Sequence, residues 1–164
     1  MNCTKLVEVE DLYRPYKEKK KTKATEAIAL GLEPLAKMMM IFPTNGSLGD
    51  MASKFVNDKV KSVEDAITGA KYIIAEWISD NASYRKWIRS YFYKNGIIVS
   101  KMKKNAEDEG KVYEMYYDYN EPVKWIKPHR VLALNRGEKE KVLTVSIDVD
   151  KEGILDFLEK KIIK

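Results

Sequence analysis

Apolar side chains recur at helical spacing through most of this chain. The clearest case is Val63, Ala66, Ile67, Ala70, Ile73, Ile74 and Trp77, which lie on one face of a 3.6-residue repeat and predict a helix to about residue 79. Ser62, with Asp65 three positions on, resembles a capping box at its start. Asn81 or Ser83 caps a following helix that turns Tyr84, Trp87, Ile88, Tyr91 and Phe92 inward and stops at Asn95-Gly96. A link of about three residues predicts that these two helices form an antiparallel hairpin. Upstream, Thr22 is an N-cap for a helix over Lys23–Leu30, and Gly31 ends it with a left-handed C-cap. Pro34 suits the first turn of the next helix, with Leu35, Met38, Met39 and Phe42 at helical spacing and Pro43 as its stop. That spacing makes Met38–Met40 core filling rather than a sticky surface. Thr44–Gly49 is a loop by composition, and Asp50 caps a short helix through Val56.

The C-terminal half is less regular. Ile97–Val99 is a short apolar run that fits either an extended or a helical segment. Lys101–Gly110 is highly charged and reads as exposed. Val112, Tyr113, Tyr116 and Tyr117 have the paired spacing of a helix face, and Asp118–Glu121 reads as a turn. Pro128 opens a helix over His129–Arg136 that Gly137 stops. Val142–Val149 alternates and is rich in β-branched residues, which makes it the one convincing strand. Ile154, Leu155, Leu158 and Ile162 mark a terminal amphipathic helix. The predicted fold class is therefore all-α. It is a single domain over 1–164, a multi-helical bundle of helical hairpins with one short β element near residues 142–149. A lone strand needs a hydrogen-bonding partner. Either Ile97–Val99 supplies it or the partner lies outside this chain.

Composition narrows the class. The 164 residues are 45% hydrophobic and 34% charged, enough apolar material for a folded domain. Cys3 is the only cysteine, so no internal disulfide can form, which fits a reducing compartment. No apolar run approaches the roughly 18 residues that span a bilayer, and the N-terminus lacks a signal-peptide core. The expected location is cytoplasmic. The net charge of +5 permits contact with nucleic acid without demanding it.

Candidate chemistry concentrates in one stretch. Between Arg14 and Lys23 stand six basic residues (Arg14, Lys17, Lys19, Lys20, Lys21 and Lys23) and one acid, Glu18. Pro15 predicts a stiff, non-helical arm, with Tyr13 and Tyr16 anchoring it and the lysines in water. Such an arm beside a helix start suits a polyanion, whose phosphates the lysines neutralise. It equally fits a solvated charge run between packed elements. A second basic cluster comprises Lys124, Lys127, His129, Arg130 and Arg136, of which Lys127, Arg130 and Arg136 join the arm as candidate nucleic-acid contacts. Arg85, Lys86 and Arg89 read as an ordinary solvated face. Tyr113, Tyr116, Tyr117, Tyr119 and Trp125 could stack on bases, but without a strand platform they read as packing residues.

Catalytic constellations are scarce. The single histidine, His129, sits at a helix start, where a structural role fits best. Cys3 has no histidine near it in sequence. There is no phosphate-binding glycine loop and no zinc spacing. Asp148 and Asp150 have a spacing that can hold Mg²⁺ but lack a third ligand. The chain is expected to be no enzyme and to need no cofactor or metal.

Several long stretches are distinctive. Glu10-Asp-Leu-Tyr-Arg-Pro-Tyr-Lys17, Lys20-Lys-Thr-Lys-Ala-Thr25 and Gly31-Leu-Glu-Pro-Leu-Ala36 closely resemble the Tex family of bacterial transcription accessory proteins. Lys103–Glu109, followed by Gly110-Lys-Val-Tyr113 and Tyr116-Tyr-Asp-Tyr-Asn-Glu-Pro122, resembles the family's acidic insert and aromatic segment. Pro128-His-Arg-Val-Leu-Ala-Leu-Asn-Arg-Gly-Glu-Lys-Glu140 is similar to its His-Arg, Ala-Leu, Arg-Gly-Glu-Lys-Glu signature. Three positions depart: Asn135 stands where an aromatic is common, Lys141 where glycine is common, and Trp125 is atypical. The resemblance implies a fragment of the family's N-terminal helical region. The RNase H-like domain, helix-hairpin-helix repeats and OB-fold RNA-binding domain of the family have no counterpart here. It implies RNA or DNA as a partner, bound mainly through those other domains, with transcription or translation machinery as a further partner. It assigns no binding residue to this region.

Overall fold

The computed structural model describes residues 5–44 and 46–163, so Cys3 lies outside the described residues. The chain divides into two compact units, one reaching to Lys86 and including the end of the chain from Leu158, the other Trp87–Phe157.

The first unit is helical. α1 (Leu6–Tyr13) runs into a single 3₁₀ turn, Arg14–Tyr16. α2 is Lys23–Ala29, α3 Glu33–Met40, α4 Leu48–Ser53 and α5 Val63–Asp80. Thr22 caps α2 as expected: its hydroxyl accepts from Thr25 N–H at 3.1 Å, and the Thr25 hydroxyl accepts from Thr22 N–H at 2.8 Å. α2 ends in a Schellman motif, with Gly31 N–H donating to Ile28 O and Leu32 N–H to Ala27 O, and Gly31 sits at φ +80°. Ser47, not Asp50, caps α4. Leu32, Leu35, Ala36, Ala66, Ala70 and Ile73 form the core, with Met38 and Met39 packed on it. Small residues on α5 admit this packing, and a Cβ on Gly69 would stand 2.4 Å from Leu32 Cδ1. α5 is thus buried within the first unit by α2, α3 and α4, helices that precede it in the chain.

The second unit overturns the all-α expectation. The sequence pattern has one strand, and the described residues form three: β1 is Ile97–Met102, β2 Asp118–Pro122 and β3 Leu143–Asp148. They make an antiparallel sheet ordered β2-β1-β3. Ile98 is opposite Glu121 on one side and Ile147 on the other. β3 therefore finds its partner within this chain. Most of α6 (Ala82–Asn95) and of α8 (Glu152–Ile162) flanks the sheet in sequence, and α7 (Pro128–Lys139) packs on β3. Asn81 caps α6. Trp87 stacks on Phe157 with ring centroids 3.7 Å apart. Tyr113, Leu134 and Leu143 are buried in the core and Tyr116, Tyr117 and Tyr119 pack against it, so the tyrosines are packing residues, although around a short 3₁₀ turn (Glu114–Tyr116) and in β2 and not on a helix face.

Gly137 does not stop α7. It lies inside the helix, buried, where a Cβ would meet Leu143 Cδ1 at 2.6 Å. The stop comes four residues later. Lys141 N–H donates to Glu138 O and Val142 N–H to Gly137 O, the same Schellman pattern as at α2, but here Lys141 occupies the left-handed position at φ +65°. A side chain in that region carries a steric cost that glycine avoids. Lys141→Gly should stabilise the protein by about 1 kcal/mol, read as a higher urea midpoint with unchanged slope.

Asp108 orders the loop between β1 and β2. Its carboxylate accepts from Val112 N–H at 3.1 Å, Tyr113 N–H at 2.8 Å and Tyr117 OH at 2.8 Å. Burial alone would raise the Asp108 carboxyl, but these three bonds outweigh it and hold it low. Desolvation and the bond to Asp108 push the Tyr117 phenol up to about 12. Its folded pKa therefore lies above the unfolded value of about 10, so its contribution to stability is full below that value and is lost as pH rises through 12. Near-ultraviolet absorbance titration should show one phenol ionising near 12, and Asp108→Asn should move that step downward.

Candidate nucleic-acid interface

α1 is attached by charge. Its polar side presents Glu8 and Asp11, and the first turns of α6 answer with Lys86 and Arg85. Arg85 Nε donates to Asp11 Oδ1 at 2.7 Å, and Lys86 Nζ lies 3.3 Å from Glu8 Oε1. These two cations are therefore not a plain solvated face.

The basic segment after α1 is fastened in the same way. Glu76 and Asp80 stand four residues apart near the end of α5, on one face of the helix. Asp80 is the last residue of α5, where a carboxylate opposes the negative end of the helix dipole and needs nearby cations. Two arrive. Arg14 Nε donates to Asp80 Oδ1 at 2.9 Å, and Lys19 Nζ donates to Glu76 Oε1 at 2.8 Å and to Asp80 Oδ2. Thr22 Oγ1 adds a bond to Glu76 Oε2 at 3.2 Å. Burial works to lower the Lys19 ammonium pKa, but the hydrogen bonds and charges of Asp80 and Glu76 together raise it, so it stays protonated. Tyr13 and Tyr16, expected as anchors, are 60% and 83% exposed. Arg14 and Lys19 are the anchors.

Fastening Lys19 leaves its neighbours displayed. Lys17, Lys20 and Lys23 line a groove of about 520 Å³ whose floor includes Tyr72, Glu76 and Asp80. Among the described residues Lys17 and Lys20 have no ion-pair partner. Lys23 Nζ donates to Tyr72 OH at 3.3 Å and lies 4.9 Å from that ring's centroid. Lys21 reaches Glu26 at 3.3 Å across an exposed surface, a contact worth little.

The second cluster behaves differently. Arg130 Nη1 donates to Glu121 Oε1 at 2.8 Å, and Glu121 also accepts from Tyr119 OH. Those two partners, Tyr119 first, hold the Glu121 carboxyl below its usual range. Arg130 thus ties α7 to β2. Lys127 is exposed, and Arg136 lines a shallow groove of about 690 Å³ with His129, Leu132 and Lys139. Asp150 accepts from Glu152 N–H at 3.0 Å, a turn at the start of α8. Among the described residues no three His, Cys, Asp or Glu side chains gather in a way that could hold a metal. No helix among them is long and apolar enough to cross a membrane.

Sequence reasoning missed Glu76, Asp80 and Tyr72. The available signal was an acid at the C-terminal end of the strongest helix, which predicts a cation brought from elsewhere.

These features define a predominantly helical module carrying a small antiparallel sheet and a basic arm fixed to its surface. The chain belongs to the Tex central region-like family, which it matches over residues 47–162. It is 53% identical to the uncharacterized protein YdcI of Bacillus subtilis, covering 98% of this chain and 23% of that protein. It is 37% identical to protein YhgF of Escherichia coli, over 88% of this chain and 19% of that one. It is 32% identical to the transcriptional accessory protein Tex of Neisseria gonorrhoeae, over 85% of this chain and 18% of that one. The chain thus spans about a fifth of the length of these relatives.

Asp80→Ala should free the arm. It leaves Arg14 and half of the Lys19 attachment without a partner, and because water can reach both cations the cost to stability is only about 1 kcal/mol. Limited trypsin digestion should then cut within residues 17–23 well before the rest of the chain.

Proposed function

We propose that this chain is a non-catalytic scaffold region of a transcription accessory protein that works in the cytoplasm and contributes auxiliary contacts to nucleic-acid backbone. The observation that carries this reading is the arm: two cations are engaged in fixing it, Lys17, Lys20 and Lys23 line a groove beside them, and Lys21 is exposed next to that groove. Lysines in that setting act as point charges that neutralise phosphates and do not read base sequence. Kinship with a protein named for transcription supports the same reading. Lys127 and Arg136 are secondary candidates. Arg14, Lys19 and Arg130, which serve as struts, are not among the free contacts.

One observation favours a second reading, a protein-docking module. Leu6, Val9, Tyr13 and Tyr16 recur at helical spacing and are 74%, 48%, 60% and 83% exposed. α1 is docked by its charged side and turns an apolar stripe outward, the reverse of an ordinary surface helix.

The deciding experiment is fluorescence anisotropy with labelled single- and double-stranded DNA and RNA across a salt series. The expected result is binding at low ionic strength that weakens with salt. Changing Lys17, Lys20, Lys21 and Lys23 together to Ala should flatten the log–log salt slope, by about 0.7–0.9 for each phosphate that is no longer neutralised. Absence of binding to every probe at low salt would sink the phosphate reading and leave the docking one.

A further inference from the structure

We infer that Glu76 and Asp80 are an internal counterion of the basic groove, and that a polyanion backbone displaces them from Arg14 and Lys19. This rests on the phosphate-contact reading above and adds its regulation. In the free protein, three of the six basic residues of the arm have carboxylates where a phosphate would otherwise sit: Lys21 across the exposed surface to Glu26, and Arg14 and Lys19 on the α5 acids. The geometry supports an exchange of one anion for another. Lys19 Nζ lies between Glu76 and Asp80, with its side chain 27% exposed, so it is reachable from the groove that Lys17, Lys20 and Lys23 line. Arg14 holds Asp80 through Nε, and its side chain is 49% exposed. Neither cation is sealed in the core. An incoming phosphate meets both an ammonium and a guanidinium already positioned, and it has only to replace carboxylates that share them. The acids then set a threshold. A weak or sparsely charged anion does not outcompete two carboxylates fixed on one helix face, whereas a backbone that also engages Lys17, Lys20 and Lys23 does. The groove would thus discriminate by charge density and not by sequence.

The test neutralises the acids without removing their shape. Glu76→Gln with Asp80→Asn in the 164-residue chain should bind a labelled oligonucleotide more tightly at every salt concentration. Its log–log salt slope should be steeper by about 1.4–1.8, the increment for two further phosphates neutralised. Adding Arg14→Ala and Lys19→Ala to that variant should abolish the gain. Asp58→Asn with Glu64→Gln, a charge-matched pair on exposed positions, controls for the general field and should leave the slope near that of the unmodified chain. Should Asp80→Asn fail to fold by circular dichroism, Glu76→Gln alone takes its place, with half the slope change expected. If the unmodified chain binds but the double variant binds equally or more weakly, or the control pair steepens the slope as much, the acids are anchors only and this inference is overturned. If no protein binds any probe, the phosphate-contact reading falls and this one with it.

Discussion

The arm depends on one arrangement: two carboxylates on consecutive turns at the end of α5. A carboxylate at a helix C-terminus is disfavoured by the dipole, and Asp80, with only 8% of its surface exposed, also loses hydration. Both penalties are relieved only by cations brought from elsewhere. Arg14 and Lys19 come from 66 and 61 residues away in sequence, and in doing so they fix the path of everything between them. The conformation of Lys17–Lys21 follows from this attachment more than from any local propensity, since the segment has no helix or strand of its own after the turn at Tyr16.

Local rules were readable where they concerned neighbours in sequence. The α5 stripe, the Thr22 cap and the left-handed Gly31 each depend on residues within a few positions of one another, and each appears as the pattern implies. The sheet was not readable. Val142–Ile147 announces itself by β-branched alternation, but β2 is Asp-Tyr-Asn-Glu-Pro, whose composition is that of a turn. It is extended because β1 lies beside it, with Ser100 opposite Tyr119. Gly137 misled for a related reason. Glycine near a helix end usually marks the stop, but here its lack of a side chain makes room for Leu143 within the core, and the stop falls on Lys141. The family resemblance flagged Lys141 as a place where glycine is common. The backbone gives the reason, since that position needs a positive φ.

The candidate interface was half legible. Charge density picked out the arm but could not separate cations that bind outward from cations that bind inward, because that depends on acids distant in sequence. Counting lysines therefore overestimates the free charge. Arg14, Lys19 and Arg130 all face carboxylates of their own units. The tyrosines pack as expected: Tyr113 and Tyr117 also commit their hydroxyls to Glu140 and Asp108. Trp125, expected to pack with them, does not, and is 64% exposed.

Fixing the arm has a consequence for binding. A flexible lysine tail must lose chain entropy when it meets a polyanion, about 1–2 kcal/mol for each backbone residue ordered, and that loss reduces its affinity. An arm already lashed at Arg14, Lys19 and Thr22 has met most of that cost on folding, so each remaining lysine contributes more of its charge to contact. In the free protein two cations hold the arm while Lys17, Lys20 and Lys23 face the groove. A repeating phosphate backbone can engage those three before it draws the other two from their carboxylates, and a single anion cannot.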